Sequence, residues 1–137
     1  MTATATSTPA IGQEWPEQSG IFIGSRLIDG ALHHLIIPGG KEFDLADVEF
    51  KQLASAINER GEVNGHSDWR APDQEDMMLA YINVPDLFDK DDWYWTNKPY
   101  GSTGAWAVGF EDGCVLSWFR TNEFRVRPVR SIIASSL

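Results

Sequence analysis

The order of apolar and polar residues divides the chain into a strand-rich start, a helical middle and a strand-rich end. Two largely apolar runs, GIFIGSRLI and ALHHLII, flank Asp29-Gly30. An Asp-Gly pair in this position is typical of a two-residue hairpin turn, because both residues tolerate a positive φ. We therefore predict an N-terminal β-hairpin whose buried face is drawn from Ile21, Ile23, Leu27, Leu32, Ile36 or their neighbours.

Apolar residues at helical spacing predict two helices in the middle of the chain. In DLADVEFKQLASAINERG, Asp44 is placed to cap the first helix and Gly61 to end it. The second helix is expected after Pro72, with Asp73 as its N-cap and acidic residues in its first turn. The apolar stripe of the first helix consists of Phe50, Leu53, Ala54 and Ile57.

The last third alternates large and small residues in WYWTN, GAWAVGFEDG, CVLSWF and FRVRPV, which indicates strands. Asp112-Gly113 is a second hairpin signal. No repeat or linker divides the chain, so the sequence predicts one α+β domain with an N-terminal hairpin, two helices and an antiparallel C-terminal meander. We assign residues 1–12 to a flexible leader of small polar residues and residues 13–137 to the domain.

Composition narrows the range of partners. The 137 residues include 20 Asp and Glu against 11 Lys and Arg, a formal net charge of −9. Nucleic-acid binding needs a basic footprint, so we expect no direct nucleic-acid contact, whereas an acidic surface suits a basic partner. Cys114 is the one cysteine and excludes an intrachain disulfide. No apolar run is long enough for a membrane span, and the start lacks the features of a signal peptide.

Residues that could support catalysis or bind a metal are scattered along the chain. His33 and His34 are adjacent on a predicted strand and point to opposite faces, so they cannot chelate one metal together. Gly39-Gly40-Lys41 lacks the phosphate-loop pattern. The acidic loop at 86–92 lacks the spacing of an EF-hand, and its role in cation binding stays open. We therefore predict no catalytic residues, metal or cofactor, and a chain that is not an enzyme.

Four stretches in the second half of the chain carry a family pattern: DWRAPDQEDM, WYWTN, AWAVGFEDG and FRVRPVR. Their order and spacing resemble the DUF1566 or Lcl C-terminal domain family. Its members carry Trp-Arg-Leu-Pro-Thr, Tyr-Trp-Ser-Ser-Thr, Ala-Trp with Phe-x-x-Gly, and Val-Arg-Pro-Val-Arg. Ala71 and Asp73 depart from the first motif, and Thr96 and Asn97 from the second. The matching residues are Trp69, Arg70, Pro72, Tyr94, Trp95, Ala105, Trp106, Phe110, Gly113 and residues 126–130.

The resemblance implies a C-type-lectin-like fold, found in bacterial surface proteins and in phage or prophage proteins, with loops that vary for binding. It does not imply calcium-dependent sugar binding, because the Glu-Pro-Asn, Gln-Pro-Asp and Trp-Asn-Asp signatures are absent. Formylglycine-generating enzymes share the scaffold but use paired cysteines, and Cys114 stands alone. With no signal peptide in the sequence, we expect a cytoplasmic or virion-associated protein.

Two groups of residues receive predicted roles. Exposed aromatic residues near turns suit a recognition surface, and the candidates with one basic neighbour are Trp93, Tyr100, Trp118, Phe119 and Arg120. Ordinary burial of these aromatic residues is the alternative that stays open. Structural roles are assigned to the motif residues Trp69, Arg70, Pro72, Tyr94, Trp95, Trp106, Arg127 and Pro128.

The closing stretch FRVRPVR poses a choice between an anion-binding patch and a strand whose arginines serve the protein's own acids. Strand alternation places Arg125 and Arg127 on one side, and Pro128 ends the strand or marks an edge. We interpret Arg70 and Arg127 as partners of internal acids or carbonyls. Arg130, beyond the proline, remains available for contact.

Two functional hypotheses follow from these patterns. The first is a non-enzymatic binding module of bacterial or phage origin that recognises a protein or glycan through loops and exposed aromatics. The alternative is a small acidic inhibitor, made by a phage or prophage, that acts inside the cell on a basic host protein complex. A structural virion component is a third and weaker hypothesis. The sequence determines neither the ligand nor the oligomeric state.

Overall fold

The computed structural model describes residues 8–134, which form two β-sheets and two α-helices. The strands are β1 (Glu14–Trp15), β2 (Gly20–Ile28), β3 (Ala31–Ile37), β4 (Leu45–Val48), β5 (Trp93–Tyr100), β6 (Gly104–Gly109), β7 (Cys114–Phe119), β8 (Phe124–Val126) and β9 (Arg130–Ile133). The helices are α1 (Leu53–Arg60) and α2 (Gln74–Asn83). The first sheet has the order β1-β2-β3-β9 and the second the order β4-β8-β5-β6-β7. The fold is α+β with mostly antiparallel pairing, and the first seven residues of the predicted leader lie outside the described residues.

The predicted N-terminal hairpin is present as β2 and β3, which pair in an antiparallel register around Asp29-Gly30. Both turn residues have a positive φ, of 51° and 83°. Ile23 and Ile36 are fully buried, as predicted. Leu27 and Leu32 are 66% and 45% exposed and do not join the core. They pair with each other at the tip of the hairpin, where a strand has fewer neighbours to cover it.

The first helix is shorter than predicted and begins later. Residues 45–48 form β4, and a single 3-10 turn at 50–52 leads into α1. Glu49 caps this turn, because its side chain accepts from the main chain of Gln52 while its own N–H donates to Gln52 Oε1 at 3.0 Å. The prediction that Asp44 caps the helix is therefore wrong. Val48 pairs with Phe124 in the second sheet, and the Asp44 side chain is buried instead.

The second helix begins where the sequence predicts. Asp73 Oδ1 accepts from the N–H of Asp76 at 2.7 Å, and Asp76 Oδ2 accepts from the N–H of Asp73 at 3.0 Å. This reciprocal capping satisfies two N–H groups that a helix start would otherwise leave free. Unlike an ordinary acid of a first turn, Asp76 is fully buried, so its charge needs partners inside the protein.

The predicted C-terminal meander is present in β5, β6 and β7, but the closing stretch does not extend it. β8 lies between β4 and β5, and it pairs with β5 in parallel through Tyr94 and Arg125. After Pro128 the chain crosses to the first sheet, where β9 pairs with β3. FRVRPVR thus links the two sheets, and the proline lies at the crossing, where no ladder hydrogen bond needs its missing N–H.

Two apolar clusters pack on opposite sides of the second sheet. One surrounds Trp95 and includes residues of α1, and the other surrounds Tyr94 and includes residues of α2. Neighbouring residues of β5 point to opposite sides, so both faces of this strand are covered. Within residues 8–134, no helix has the length and apolar character needed to cross a membrane.

A buried ion pair between Arg127 and Asp44 holds three segments together. Neither side chain is more than 1% exposed, and Arg127 Nε lies 2.6 Å from Asp44 Oδ1. Arg127 Nη1 and Nη2 donate to the main-chain oxygens of Gly39 at 2.8 Å and Leu87 at 2.9 Å. The guanidinium carbon also lies 4.3 Å from the ring centroid of Phe88. A buried charge is costly unless it is paired and hydrogen-bonded, and Arg127 meets both conditions.

The second oxygen of Asp44 accepts from two further side chains. The Tyr94 hydroxyl donates to Asp44 Oδ2 at 2.6 Å, and Arg125 Nη1 lies 3.2 Å from the same oxygen. Burial and the neighbouring carboxylate raise the pKa of Tyr94 far above its ordinary value. Arg125 also pairs with Asp89 and Asp92, each at 3.1 Å, and thereby ties the acidic loop to β8.

A second buried acid, Asp76, joins the start of α2 to the first sheet and to the closing stretch. Its Oδ1 accepts from Nε of Arg26 in β2 at 3.0 Å, and its Oδ2 from Nη1 of Arg70 at 2.7 Å. Burial alone would raise the pKa of Asp76, but the hydrogen bond and charge of Arg70 hold it below its ordinary value. The main chain of Arg70 pairs with Val129 through two bonds of 2.9 Å.

Arg130 is not available for contact, contrary to the sequence prediction. Its side chain is 5% exposed, and its Nε lies 2.5 Å from Asp68 Oδ1. Nη1 donates to the main-chain oxygen of Gln18 at 3.1 Å, and the guanidinium carbon lies 5.5 Å from the ring centroid of Trp69. The reason is the crossing at Pro128, which returns the chain to the first sheet as β9 instead of leading it outwards.

We predict that Arg127→Ala lowers the free energy of unfolding by about 3–5 kcal/mol, because a buried carboxylate loses its main counter-charge and two carbonyls lose their donor. In a chain of this size, the melting temperature then falls by roughly 10 °C. Thermal and urea unfolding measure both quantities. Arg125→Ala is the matched control: its side chain is 26% exposed and Asp44 keeps Arg127, so we expect a loss of about 1 kcal/mol. Unchanged stability of the Arg127 variant would contradict the structural role of this residue.

We predict that Asp76→Ala lowers the free energy of unfolding by about 3 kcal/mol, because Arg26 and Arg70 lose their shared partner and Asp73 loses its reciprocal cap. Urea unfolding followed by circular dichroism gives the value. Glu75→Ala is the control on the same turn, since Glu75 is exposed, and we expect a change within about 0.5 kcal/mol. Similar losses in the two variants would show that the buried ion pairs of Asp76 contribute no more than a surface acid.

Candidate functional site

Three aromatic side chains share one surface at an end of the second sheet. The register pairs Tyr100 of β5 with Gly104 of β6, and Gly104 with Phe119 of β7. Trp106 lies two residues beyond Gly104 on β6 and therefore on the same side. The rings of Tyr100 and Trp106 pack edge to face with centroids 5.0 Å apart. We call Tyr100, Trp106 and Phe119 the aromatic face.

The aromatic face is accessible from outside. Phe119 is 70% and Tyr100 55% exposed, while Trp106 is half-buried beside them. Helix α2 covers the opposite end of the same side, where Tyr81 packs on Phe110 with ring centroids 5.9 Å apart. The fold therefore leaves the rings of Tyr100 and Phe119 uncovered beside the half-buried Trp106, and exposed aromatic residues of this kind are common at interaction sites.

The glycine under the Tyr100 ring is required by the close approach of the two strands. A Cβ atom at Gly104 would lie 2.9 Å from the main-chain oxygen of Tyr100 and 3.4 Å from its Cδ2 atom. The first distance is shorter than real contacts of a Cβ atom allow. The missing side chain thus lets the Tyr100 ring lie across β6 and reach Trp106.

Arg120 fixes the turn that joins β5 to β6 beside the aromatic face. Its Nε donates to the main-chain oxygen of Gly104 at 2.9 Å, and its Nη2 donates to that of Gly101 at 2.8 Å. Its main-chain N–H donates to Thr103 at 2.9 Å. The guanidinium carbon lies 5.2 Å from the ring centroid of Phe50. Arg120, a predicted ligand contact, therefore holds the turn in place with these donors.

Two of the predicted recognition residues lie on the other side of the same sheet. Trp93 and Trp118 are half-buried and pack edge to face with centroids 5.1 Å apart. The ring centroid of Trp118 also lies 5.6 Å from that of Phe124. In the pairing of β7 with β6, Trp118 lies opposite the buried Ala105. Of the five predicted contact residues, the structure thus brings Tyr100 and Phe119 together on one face and places the two tryptophans at the margin of the core.

The residues with predicted structural roles are buried or bonded within the protein, except Trp106. Trp69 Nε1 donates to the main-chain oxygen of Val63 at 2.9 Å, and Trp95 Nε1 donates to that of Val48 at 2.7 Å. The family motif predicts a structural role for Trp106, yet its ring packs against Tyr100 on β6, the strand next to the one that carries Phe119. Strand alternation in GAWAV was the available signal for this position. The other buried members are Pro72, Tyr94, Arg127 and Pro128.

Three of the four carboxylates in the acidic loop at 86–92 form ion pairs within the protein. Asp86 pairs with Lys90 at 2.7 Å, and Asp89 and Asp92 pair with Arg125. In the described range 8–134, no group of three or more His, Cys, Asp or Glu side chains is arranged to hold a metal ion. The loop thus acts as a counter-charge for β8.

The pattern of motifs has a counterpart among known families. The four motif stretches converge in the structure, since Arg70 pairs with Val129, Tyr94 with Arg125, and Trp95 with Ala107. A comparison with curated proteins found no match to this chain. The family model of the Lcl C-terminal domain matches residues 12–130. That range covers most of the chain, and the protein belongs to the Lcl C-terminal domain family.

Proposed function

We propose that this protein is a non-enzymatic binding domain that recognises a protein or a glycan through the aromatic face and the turn at 101–103. The observation that supports this function best is the joint exposure of Tyr100 and Phe119 beside Trp106. Aromatic rings supply a large contact area with few rotatable bonds, and Tyr and Trp add a polar edge. Such residues dominate the energetics of recognition surfaces.

The surroundings of the aromatic face favour tight recognition. The Tyr100 ring already packs against Trp106, and Arg120 already holds the turn through Gly101 and Gly104. A ligand that binds there does not have to pay the full entropy of ordering these groups. Phe119 lies on β7, an edge strand of the second sheet, so a partner can approach it from the side as well as from above.

The lectin-like fold and the bacterial or phage origin form part of the same proposal. The match to the Lcl C-terminal domain family over residues 12–130 supports both, since the motif resemblance described above implies this fold and this origin. Binding through side chains of a strand end and a turn needs no metal, which agrees with the missing calcium-lectin signatures.

A second candidate function is inhibition of a basic protein complex inside the host cell, and the distribution of charge favours it. The bases that form ion pairs with acids of the same chain are Arg26, Arg70, Lys90, Arg125, Arg127 and Arg130. Arg60 and Arg120 bind main-chain oxygens. With 20 acids against 11 bases, the surplus of negative charge falls on surface carboxylates, which suits a basic partner.

We predict that the double variant Tyr100→Ala Phe119→Ala weakens ligand binding at least tenfold while the melting temperature changes little, because both side chains are mostly exposed. A glycan array and an affinity capture from bacterial lysate identify ligands of the native protein first. Titration calorimetry with the identified ligand then measures the affinity of each variant.

Leu116→Ala is the matched control for this experiment. Leu116 is an apolar residue on the same strand as Phe119, 43% exposed, and it points to the opposite side of the sheet. We expect the Leu116→Ala variant to bind the identified ligand with the affinity of the native protein. Equal affinity of the double variant and the native protein would contradict the proposed role of the aromatic face.

A further inference from the structure

A cleft with a volume of about 640 Å³ is lined by residues that do not belong to the aromatic face. One rim is formed by β1, the turn after it and the first residues of β2, and the other by the loop at 38–43. Trp15, Pro16, Ile21, Pro38 and Phe43 supply apolar surface along its walls. We call it the N-terminal cleft. Its size and its apolar walls are typical of a site that holds a side chain or a small ligand.

Hydrogen bonds hold the two rims of the N-terminal cleft at a fixed distance. Asn64 Nδ2 donates to the main-chain oxygen of Ser19 on one rim at 3.0 Å and to that of Pro38 on the other at 3.1 Å. Arg127 Nη1 donates to Gly39 at 2.8 Å from the buried interior. The cleft is therefore formed before any ligand arrives, which lowers the ordering cost of binding.

The charged groups of the N-terminal cleft have one sign. Glu14 and Glu42 line it, and none of its described lining residues is basic. Neither carboxylate forms an ion pair with another residue of the described range. The buried acids Asp44 and Asp76, by contrast, each pair with arginines. Lys41 stands next to Glu42 in the sequence but does not line the cleft.

We propose that the N-terminal cleft binds a cationic side chain, arginine or lysine, presented by a basic segment of a protein partner. The apolar walls suit the methylene stem of such a side chain, and the two unpaired carboxylates suit its charged end. The charge complementarity extends beyond the cleft, because the protein as a whole carries a net charge of −9. This site is separate from the aromatic face and does not depend on the function proposed for that face.

The proposal is tested by nuclear magnetic resonance with N-acetyl-arginine amide as the probe. We expect titration of the ¹⁵N-labelled protein to shift the signals of Gly39, Gly40, Asn64 and the Trp15 indole, and to leave those of the aromatic face unchanged. The citrulline analogue, which has the same shape without the charge, should bind at least fivefold more weakly. Equal binding of the two analogues would overturn the proposal.

Charge-neutral variants show whether the two carboxylates are responsible. We expect Glu14→Gln Glu42→Gln to weaken arginine binding at least fivefold. Glu17→Gln, an exposed position in the turn of the first rim whose side chain does not line the cleft, should bind like the native protein. The variant Tyr100→Ala Phe119→Ala should also retain arginine binding, so failure of the two proposed sites can be distinguished.

Two other outcomes count against the proposal. Shifts spread over all surface acids would mean that the probe senses only the overall negative charge of the protein. Shifts of the cleft signals by a neutral monosaccharide, but not by the arginine probe, would identify a polyol site instead. Unchanged amide signals outside the cleft in each variant verify that the substituted proteins are folded.

Discussion

The buried carboxylate of Asp44 and the guanidinium of Arg127 have to remain together, because either charge alone in the interior would cost several kcal/mol. Their contact fixes the loop before β4 against the stretch after β8, 83 residues further along the chain. The remaining donors of Arg127 fix the main chain at Gly39 and Leu87. The Arg127 guanidinium thus ties together the loop after β3, the residue before β4, the loop before β5 and the stretch after β8.

The need to pair buried charges also determines which charges the surface carries. Most basic side chains of the described range are engaged inside, either with acids such as Asp76 or with main-chain oxygens, as at Arg120. The outer surface therefore keeps surplus carboxylates, which include Glu14 and Glu42 of the N-terminal cleft. Beyond the part of the second sheet that α2 covers, the sheet exposes the aromatic rings of Tyr100 and Phe119. One scaffold thus carries exposed aromatic rings on one surface and an acidic cleft on another.

Local signals in the sequence predict the elements but not the contacts between distant residues. The turn at Asp29-Gly30 and the cap at Asp73 depend on neighbouring residues, and both are present. Leu45 and Val48 fit a helix and a strand equally well, so pairing with β8 had to decide between them. A two-residue turn at Asp112-Gly113 would pair Glu111 with Cys114, yet the structure pairs Gly109 with Cys114 across a longer turn. The shift of two residues preserves the alternation of faces, so Trp118 and Phe119 still lie on opposite sides of the sheet.

A double-mutant cycle on Asp44 and Arg127 measures how strongly the two buried charges stabilise each other. The free energy of unfolding is measured in urea for the native protein, Asp44→Asn, Arg127→Met and the double variant. We predict that each single variant is strongly destabilised and that the double variant recovers about 1–3 kcal/mol relative to the sum of the single losses. Additivity within about 0.5 kcal/mol would contradict it, because the two charges would then not stabilise each other.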